Sequence, residues 1–452
     1  MVPRANAPRP MVLPLAHATA DTCGGKAAPL AVLLREGLPV PDGFVVPLTA
    51  HRDAVECTAD GSPRVSPELR EELARRLAAM GDPVVAVRSS AVREDTAAAS
   101  AAGQYESVIA VRGPSAVSDA VRTCWASARS RRVADYWRQV DGRATAAAPD
   151  ARGRAYGFPT PGGDRVVVAA DSGTPDVTDV AVLVQRLVDA DVAGVMFTPS
   201  APGGATRVEA SWGLGLHVVG GVVAPDVYEV LPDGKVRRTV GDKASRVDRT
   251  PGTGAPDGGL SVRAVPVRER AQPVLDDATA GALAALGGRV ASILGRPQDV
   301  EWALAGGRLW ILQARPITVP LPPLRPVRPP VDGAVLTGVP GASGSVSGVA
   351  RVLHGPDELT RVVRGDIVVC RDTEPAWTPV FGVAGGVVTE TGGVLSHAAI
   401  VAREHGIPAV LGVPRATADI RDGARVTLDG TAGTVSLASE GASLRETRDR
   451  DA

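Results

Sequence analysis

The chain has 452 residues, 49 of them basic and 50 acidic, for a formal net charge of −1. Near-neutrality without a long basic run excludes a nucleic-acid binder that works by neutralising phosphates. A composition of 44% hydrophobic and 22% charged residues excludes a disordered chain. Only Lys26, Lys235 and Lys243 are lysine and every other basic side chain is arginine, an imbalance that a GC-rich coding sequence would give.

In chain order, residues 26–36 (KAAPLAVLLRE) read as a helix ending at Gly37, and PVPDGFVV then enters a strand. Residues 67–80 form a strongly amphipathic helical pattern. Segments 83–90, 179–188 and 193–198 read as buried or half-buried strands. Stretches 141–164 and 249–264, rich in Gly, Pro, Asp and Thr, read as loops. The proline-dense run 316–333 cannot form a regular helix or a central strand, so it predicts an extended, semi-rigid spacer. Beyond it lie strands near 366–370, 386–389 and 425–429 and a helix at 397–405, and from about Ser439 the chain is polar and frayed. Strands alternating with helices predict an α/β or α+β architecture, and the length predicts two to four domains. With 3% aromatic residues, the core must be built from Ala, Val, Leu and Ile.

Cys23, Cys57, Cys124 and Cys370 are scattered without a CxxC pair, which suits neither zinc nor a disulfide framework and fits a reducing compartment. No apolar run is long enough to predict a spanning helix. Arg4, Arg9 and MVLPLAHATA faintly mimic a signal peptide. The short apolar stretch, Pro14 and the glycine-rich motif that follows instead predict a cytoplasmic protein.

The helix at 397–405 carries the most chemistry. In TETGGVLSHAAIVAREHGIPAVLG, 389–412, Ser396 is a good N-cap and Gly406 with Pro408 is a stop. His397 then takes the first helical position, where the positive helix end disfavours an imidazolium and favours a neutral, nucleophilic ring. The same exposed end would stabilise a phosphate carried on that ring, and Gly392-Gly393 would let a large ligand approach the backbone. The plain alternative is a histidine that only helps to start a helix.

In DVEWALAGGRLWILQARP, 299–316, alternation puts Trp302, Leu304, Trp310, Leu312 and Ala314 on one apolar face. A three-residue loop at Gly306-Gly307-Arg308 opposes Glu301 to Gln313, with Arg315 on the same face. A carboxylate, an amide and a guanidinium above an apolar platform suit a metal–triphosphate site. A two-residue Gly-Gly turn would oppose Glu301 to Leu312, and spacing alone equally allows a solvated edge hairpin. In AVRSSAVREDTAAASAAGQYES, 86–107, Arg88 ends a strand, and a small-residue loop ending at Gly103 suits a flap over phosphates. DTCGGKAAPL, 21–30, places Lys26 after two glycines at a helix start, again compatible with phosphate, though it is not a Walker A sequence. VEASWGLGLHVVGG, 208–221, has Glu209 before a glycine-rich turn that could equally be a structural corner.

These motifs in this order resemble the family of phosphoenolpyruvate synthase, pyruvate phosphate dikinase and rifampicin phosphotransferase over nearly the whole chain. The resemblance implies an ATP-grasp nucleotide-binding domain over 1–315, a swivel linker over 316–334, a β/β/α phosphohistidine domain over 335–438 and a polar tail over 439–452. It implies that Lys26 and Arg88 hold ATP phosphates, that Gly103 and Ser107 lie on the flap, and that Gln185 sits by the nucleotide. By the same resemblance Glu301 and Gln313 bind Mg²⁺ with ATP, Arg315 clamps the phosphates, and His397 is the phosphorylated nucleophile.

The implied reaction is a relay from ATP through His397 to a small-molecule hydroxyl, with AMP and Pi as products. Relatives carry a further domain for the acceptor, for which this sequence has no residues. The alternative is therefore a phosphohistidine donor subunit whose acceptor site lies on a partner protein. A non-catalytic ATP-sensing module is a third reading, but it would not need the full reactive set. Neither a nucleic acid nor a membrane is an expected partner.

Overall fold

The computed structural model describes residues 10–56, 62–92, 94, 104–130, 133, 179–250, 259–317, 321, 335–394 and 396–437. It is a mixed α/β structure. A five-stranded antiparallel sheet runs in the order Leu13–Pro14, Gly43–Val46, Val180–Arg186, Val85–Ala91, Ser107–Val111. A six-stranded antiparallel sheet follows, in the order Arg308–Pro316, Gln298–Ala305, Val192–Phe197, Thr206–Trp212, Asp226–Val230, Val236–Thr239. A shared core made by helix Ala20–Arg35, both sheets and helix Asp277–Leu294 joins them, with Leu30, Leu33, Leu183, Met196, Val300 and Trp302 fully buried. Helices Pro67–Ala79 and Pro114–Ser127 cover the other face of the five-stranded sheet.

The C-terminal part folds around an eight-stranded mixed sheet. Its centre is parallel: Ser345–Val352 pairs with Ile367–Cys370, which pairs with Gly386–Thr389, which pairs with Ala409–Leu411. Strands buried on both faces are the expected pattern for such a centre, and Ile367–Cys370 and Gly386–Thr389 are buried at every position. Helix His397–His405 packs its alanines and Val401 on one face of this sheet.

Helix limits follow side-chain chemistry. Ser66 Oγ accepts from the Leu69 amide and starts Pro67–Ala79. The helix expected over 26–36 begins earlier, at Ala20, but breaks at Gly24, where φ is +76°. A Cβ at Gly24 would lie 2.0 Å from the Ser90 carbonyl oxygen, so only glycine lets the strand pass this close. Helix Asp277–Leu294 escaped the sequence reading because its alanines and glycines blur the apolar stripe. Its ends are nonetheless well marked by the Asp276 cap on the Thr279 amide and by left-handed Gly295. The loop reading of 249–264 is corrected in part: Leu260–Ala264 is a strand paired antiparallel with Ser245–Arg249. The 141–164 stretch, the polar end from Ser439 and most of the proline-dense run lie outside the described residues. The run's first residue, Pro316, ends a paired strand opposite Gln298.

The hairpin at 298–316 corrects the loop and keeps the register. The turn is the two-residue Gly306-Gly307, with φ of +55° and +74°, the geometry that matches strand twist. A bulge between Glu301 and Trp302 takes up the odd residue, so Glu301 still faces Gln313. The apolar face changes accordingly. Trp302, Ile311 and Ala314 enter the shared core with Leu304 and Leu309, while Trp310 and Leu312 pack on the other side with Ala303 and Leu214.

Lys243 is fully buried against an equally buried Asp226. Its ammonium also donates to the Gly241 carbonyl at 3.0 Å, and Asp226 accepts from the Gly241 and Val274 amides at 2.9 and 2.8 Å. Cys23, Cys124 and Cys370 are buried free thiols, and burial pushes that of Cys124 up to about 12, so it is unreactive. Among the described residues no helix is long and apolar enough to cross a membrane. Replacing Lys243 by Met leaves the Asp226 carboxylate buried without its counter-charge. Lys243→Met should cost about 3–5 kcal/mol of stability, read as a lower midpoint in urea unfolding; an unchanged midpoint would show that the pair contributes nothing.

Candidate active site

A cavity of about 380 Å³ opens between the two antiparallel sheets. Apart from Gly103, which lies outside the described residues, every residue to which the resemblance gives a role lines it, whereas Glu209, Gly392 and Gly393 do not. Lys26, Arg88, Ser107 and Gln185 come from the five-stranded side, and Glu301, Gln313 and Arg315 from the hairpin opposite. His397 enters from the C-terminal part with Thr373, Glu374 and Pro375.

Lys26 is aimed into the cavity by the break at Gly24. Ser90 Oγ accepts from the Lys26 and Ala27 amides at 3.2 and 3.1 Å, so those helix-start N–H groups are already used. The GGK motif therefore offers a side chain, not an amide cradle. Its glycines serve packing: a Cβ at Gly25 would lie 1.9 Å from the Glu94 carbonyl oxygen. The Lys26 ammonium is paired with the carboxylate of Glu94, which is 2% exposed. Nothing in the sequence marked Glu94, whose contact with Lys26 is made only by the fold.

Arg88 spans the cleft. Its guanidinium donates to Glu301 Oε2 at 3.2 Å, to Gln313 Oε1 at 3.3 Å and to the Leu312 carbonyl at 3.4 Å. Arg315 donates to Asp299 at 2.9 Å. Burial pushes the Asp299 carboxyl above its ordinary range, and the Arg315 charge works against that rise. Gln185 is buried with its amide nitrogen on the Pro41 carbonyl at 3.1 Å. Among the described residues no group of three or more His, Cys, Asp or Glu side chains could hold a metal alone. The paired Glu301 and Gln313 supply two hard oxygen donors, which fits Mg²⁺ held jointly by a carboxylate, waters and substrate phosphates.

His397 occupies the first position of its helix, and Ser396 Oγ accepts from the Ala399 amide. The ring is 8% exposed, so the helix end expected to be open is instead covered. Thr373 Oγ1 lies 2.9 Å from Nδ1 and Thr378 Oγ1 lies 3.1 Å from Nε2. Thr378 donates its one hydrogen to the Pro375 carbonyl at 2.8 Å and accepts from Gln104 at 3.2 Å, so it can only accept from the ring. Nε2 thus carries the proton in this arrangement, by hydrogen-bond inference. Phe381 meets the ring edge-on at 5.8 Å. Thr373, Thr378 and Gln104 left no trace in any sequence pattern: the two threonines reach His397 only through the fold of the C-terminal part, and Gln104 joins Thr378 from the N-terminal part.

The arrangement gathers cations, hard oxygen ligands and one imidazole in a partly dry cleft, a setting for moving a phosphoryl group. Comparison with known proteins agrees. Residues 61–321 match the model of the pyruvate phosphate dikinase AMP/ATP-binding domain, and residues 362–433 match the mobile domain of PEP-utilising enzymes. A probable phosphoenolpyruvate synthase of Methanothermobacter thermautotrophicus is 33% identical over 91% of this chain and 61% of its own length. One from Archaeoglobus fulgidus is 34% identical over 91% of this chain and 56% of its own. The phosphoenolpyruvate synthase of Aeropyrum pernix is 32% identical, with the same shares covered. The chain belongs to the phosphoenolpyruvate synthase and pyruvate phosphate dikinase family, and it spans little more than half the length of these relatives.

Arg88 faces both candidate metal ligands and open space for phosphates. Arg88→Leu should weaken binding of a non-hydrolysable ATP analogue with Mg²⁺ by at least about tenfold, roughly 1.4 kcal/mol, in titration calorimetry. An unchanged affinity would remove Arg88 from the phosphate site.

Proposed function

We propose that the chain is an ATP-dependent phosphotransferase of the dikinase type. Its first part, 1–315, would be an ATP-grasp nucleotide-binding domain, 316–334 a swivel linker and 335–438 the phosphohistidine carrier. The observation that carries this reading is the entry of His397 into the cavity lined by Lys26, Arg88, Arg315, Glu301 and Gln313. ATP lies with its triphosphate among these cations and its base towards Gln185. Bound through Glu301 and Gln313, Mg²⁺ would neutralise charge on the phosphate oxygens.

Lys26 exchanges Glu94 for a phosphate oxygen, and Arg88 and Arg315 hold the remaining charge. A ring nitrogen of His397 gives up its threonine hydroxyl and attacks the β-phosphorus. The bond between the β-phosphorus and its oxygen bridge to AMP breaks, and AMP leaves. Water then takes the γ-phosphoryl group, releasing Pi and leaving phosphohistidine. The carrier passes its phosphoryl group to a small-molecule hydroxyl, giving AMP, Pi and a phosphorylated acceptor from ATP, water and acceptor. A donor subunit serving a separate acceptor protein is the second reading; the two matched regions, an AMP/ATP-binding domain and a mobile domain, correspond to the donor and the carrier.

ATP labelled at the β-phosphate should place label on the wild-type chain and none on His397→Ala. Label arriving only from the γ-position, or equal labelling of the mutant, would defeat the relay. Lys26→Arg should keep the charge yet lower AMP formation, because a broad guanidinium fork cannot replace a compact ammonium in this close pocket. Full activity in that variant would make Lys26 dispensable. Screening hydroxyl compounds and pyruvate for AMP release by the purified chain separates the two readings: turnover without a partner supports the first.

A further inference from the structure

The carrier does more than reach into the cavity; its histidine loop sits on a specific part of the six-stranded sheet. We infer that Glu209 is the positioning residue for docking of this loop, and that it recognises the loop through its main chain. The inference rests on the phosphohistidine reading above.

Three observations converge on Glu209. It is 1% exposed, and its Oε1 accepts from the backbone amide of Val394 at 3.4 Å, an acceptor on one part of the fold meeting a donor on the other. Its Oε2 lies where a side chain at Gly393 would go: a Cβ there would be 2.5 Å from that oxygen and 3.3 Å from Pro225 Cγ. Beside it, Gly221 and Gly392 touch backbone to backbone, a Cβ on Gly221 falling 3.3 Å from Gly392 Cα and 2.8 Å from Ser396 Cβ. The paired glycines of the histidine loop therefore admit the sheet, not a ligand.

Arg207 fixes the carboxylate from behind with an ion pair at 3.0 Å. The oxygen facing Gly393, with Nε and Nη1 of Arg207, has no partner among the described residues. A buried charge held in this way is stiff, so the position of the Val394 amide is set to within hydrogen-bonding reach. Val394 and Ile400 meanwhile insert among Val195, Phe197 and Val218 of the nucleotide-binding part. The apolar contact supplies adhesion and Glu209 supplies register. His397 follows Val394 by three residues, so an error in the loop carries directly to the ring.

Gly393 is the useful probe, because unlike Gly221 at φ +69° and Gly392 at φ +104° it does not occupy the left-handed region. Gly393→Ala adds one methyl against Glu209 without backbone strain. It should slow single-turnover phosphorylation of His397 by at least about tenfold. Affinity for an ATP analogue and the thermal midpoint should stay at wild-type values. Glu209→Asp withdraws the carboxylate from the Val394 amide and keeps the charge opposite Arg207, so Glu209→Asp alone should also slow the step, and Glu209→Asp/Gly393→Ala should lose far less than the product of the two single effects.

The idea fails if Gly393→Ala phosphorylates at the wild-type rate, or if the double variant shows only the product of the two single effects. Spin labels on Arg237→Cys and Asp357→Cys read docking without chemistry. Their distance distribution should broaden in Gly393→Ala and in Glu209→Asp, and no change in Gly393→Ala would sink the inference. A wild-type chain that forms no phosphohistidine would overturn the proposed function, and the label distances would still decide the docking contact.

Discussion

One guanidinium joins the two walls of the cleft. Arg88 belongs to a central strand of one sheet and donates to three groups on the edge hairpin of the other. The hairpin's bulge faces Glu301 and Gln313 together, and Arg88 gives both a common partner. Without the bulge, Leu312 would stand where Gln313 does and the guanidinium would meet an apolar side chain. The charge arrangement in the cavity thus depends on a single irregularity in strand pairing, which fits the tendency of bulges to appear beside functional sites.

The C-terminal part is held against the six-stranded sheet by terms of opposite sign. Burying Val394 and Ile400 among Val195, Phe197 and Val218 is favourable, on the order of 1.5–3 kcal/mol for each fully buried aliphatic side chain. Against this stand the unsatisfied buried atoms of Glu209 and Arg207, each costing about 1–3 kcal/mol. Arg403, on the histidine helix, adds a guanidinium whose pKa burial pushes down to about 10, with Asp299 as the strongest opposing influence. Contacts of this mixed kind are specific without being tight, the balance that the proposed swivelling carrier would need.

Much of this could be seen in the sequence wherever a local rule agreed with the tertiary one. Ser396, His397 and Gly406 make a helix start and stop that no partner alters. The alternation in 299–316 led to Glu301 facing Gln313 even though the turn was misassigned, because two compensating irregularities give the same register as one longer loop. What stayed hidden was pairing between distant segments. Glu94 on Lys26, Thr378 on His397 and Glu209 on Val394 are contacts between residues that neither periodicity nor spacing relates. The glycines were misread for the same reason. GG ahead of a charged or nucleophilic residue looks like space for a ligand, yet that space is filled by the backbone of Ser90 and Glu94 at one site and, at Gly393, by the Glu209 side chain.

The scarcity of lysine has a practical side once the three are placed. Lys243 is sealed inside, Lys26 is 11% exposed under the carboxylate of Glu94, and Lys235 stands 79% exposed just before the edge strand Val236–Thr239. An amine-reactive dye or cross-linker added to the folded protein therefore finds one open lysine side chain, remote from the cavity. Reagents chosen to map lysines report here on a single corner of the molecule, whereas guanidine-directed reagents would meet the arginine-covered remainder.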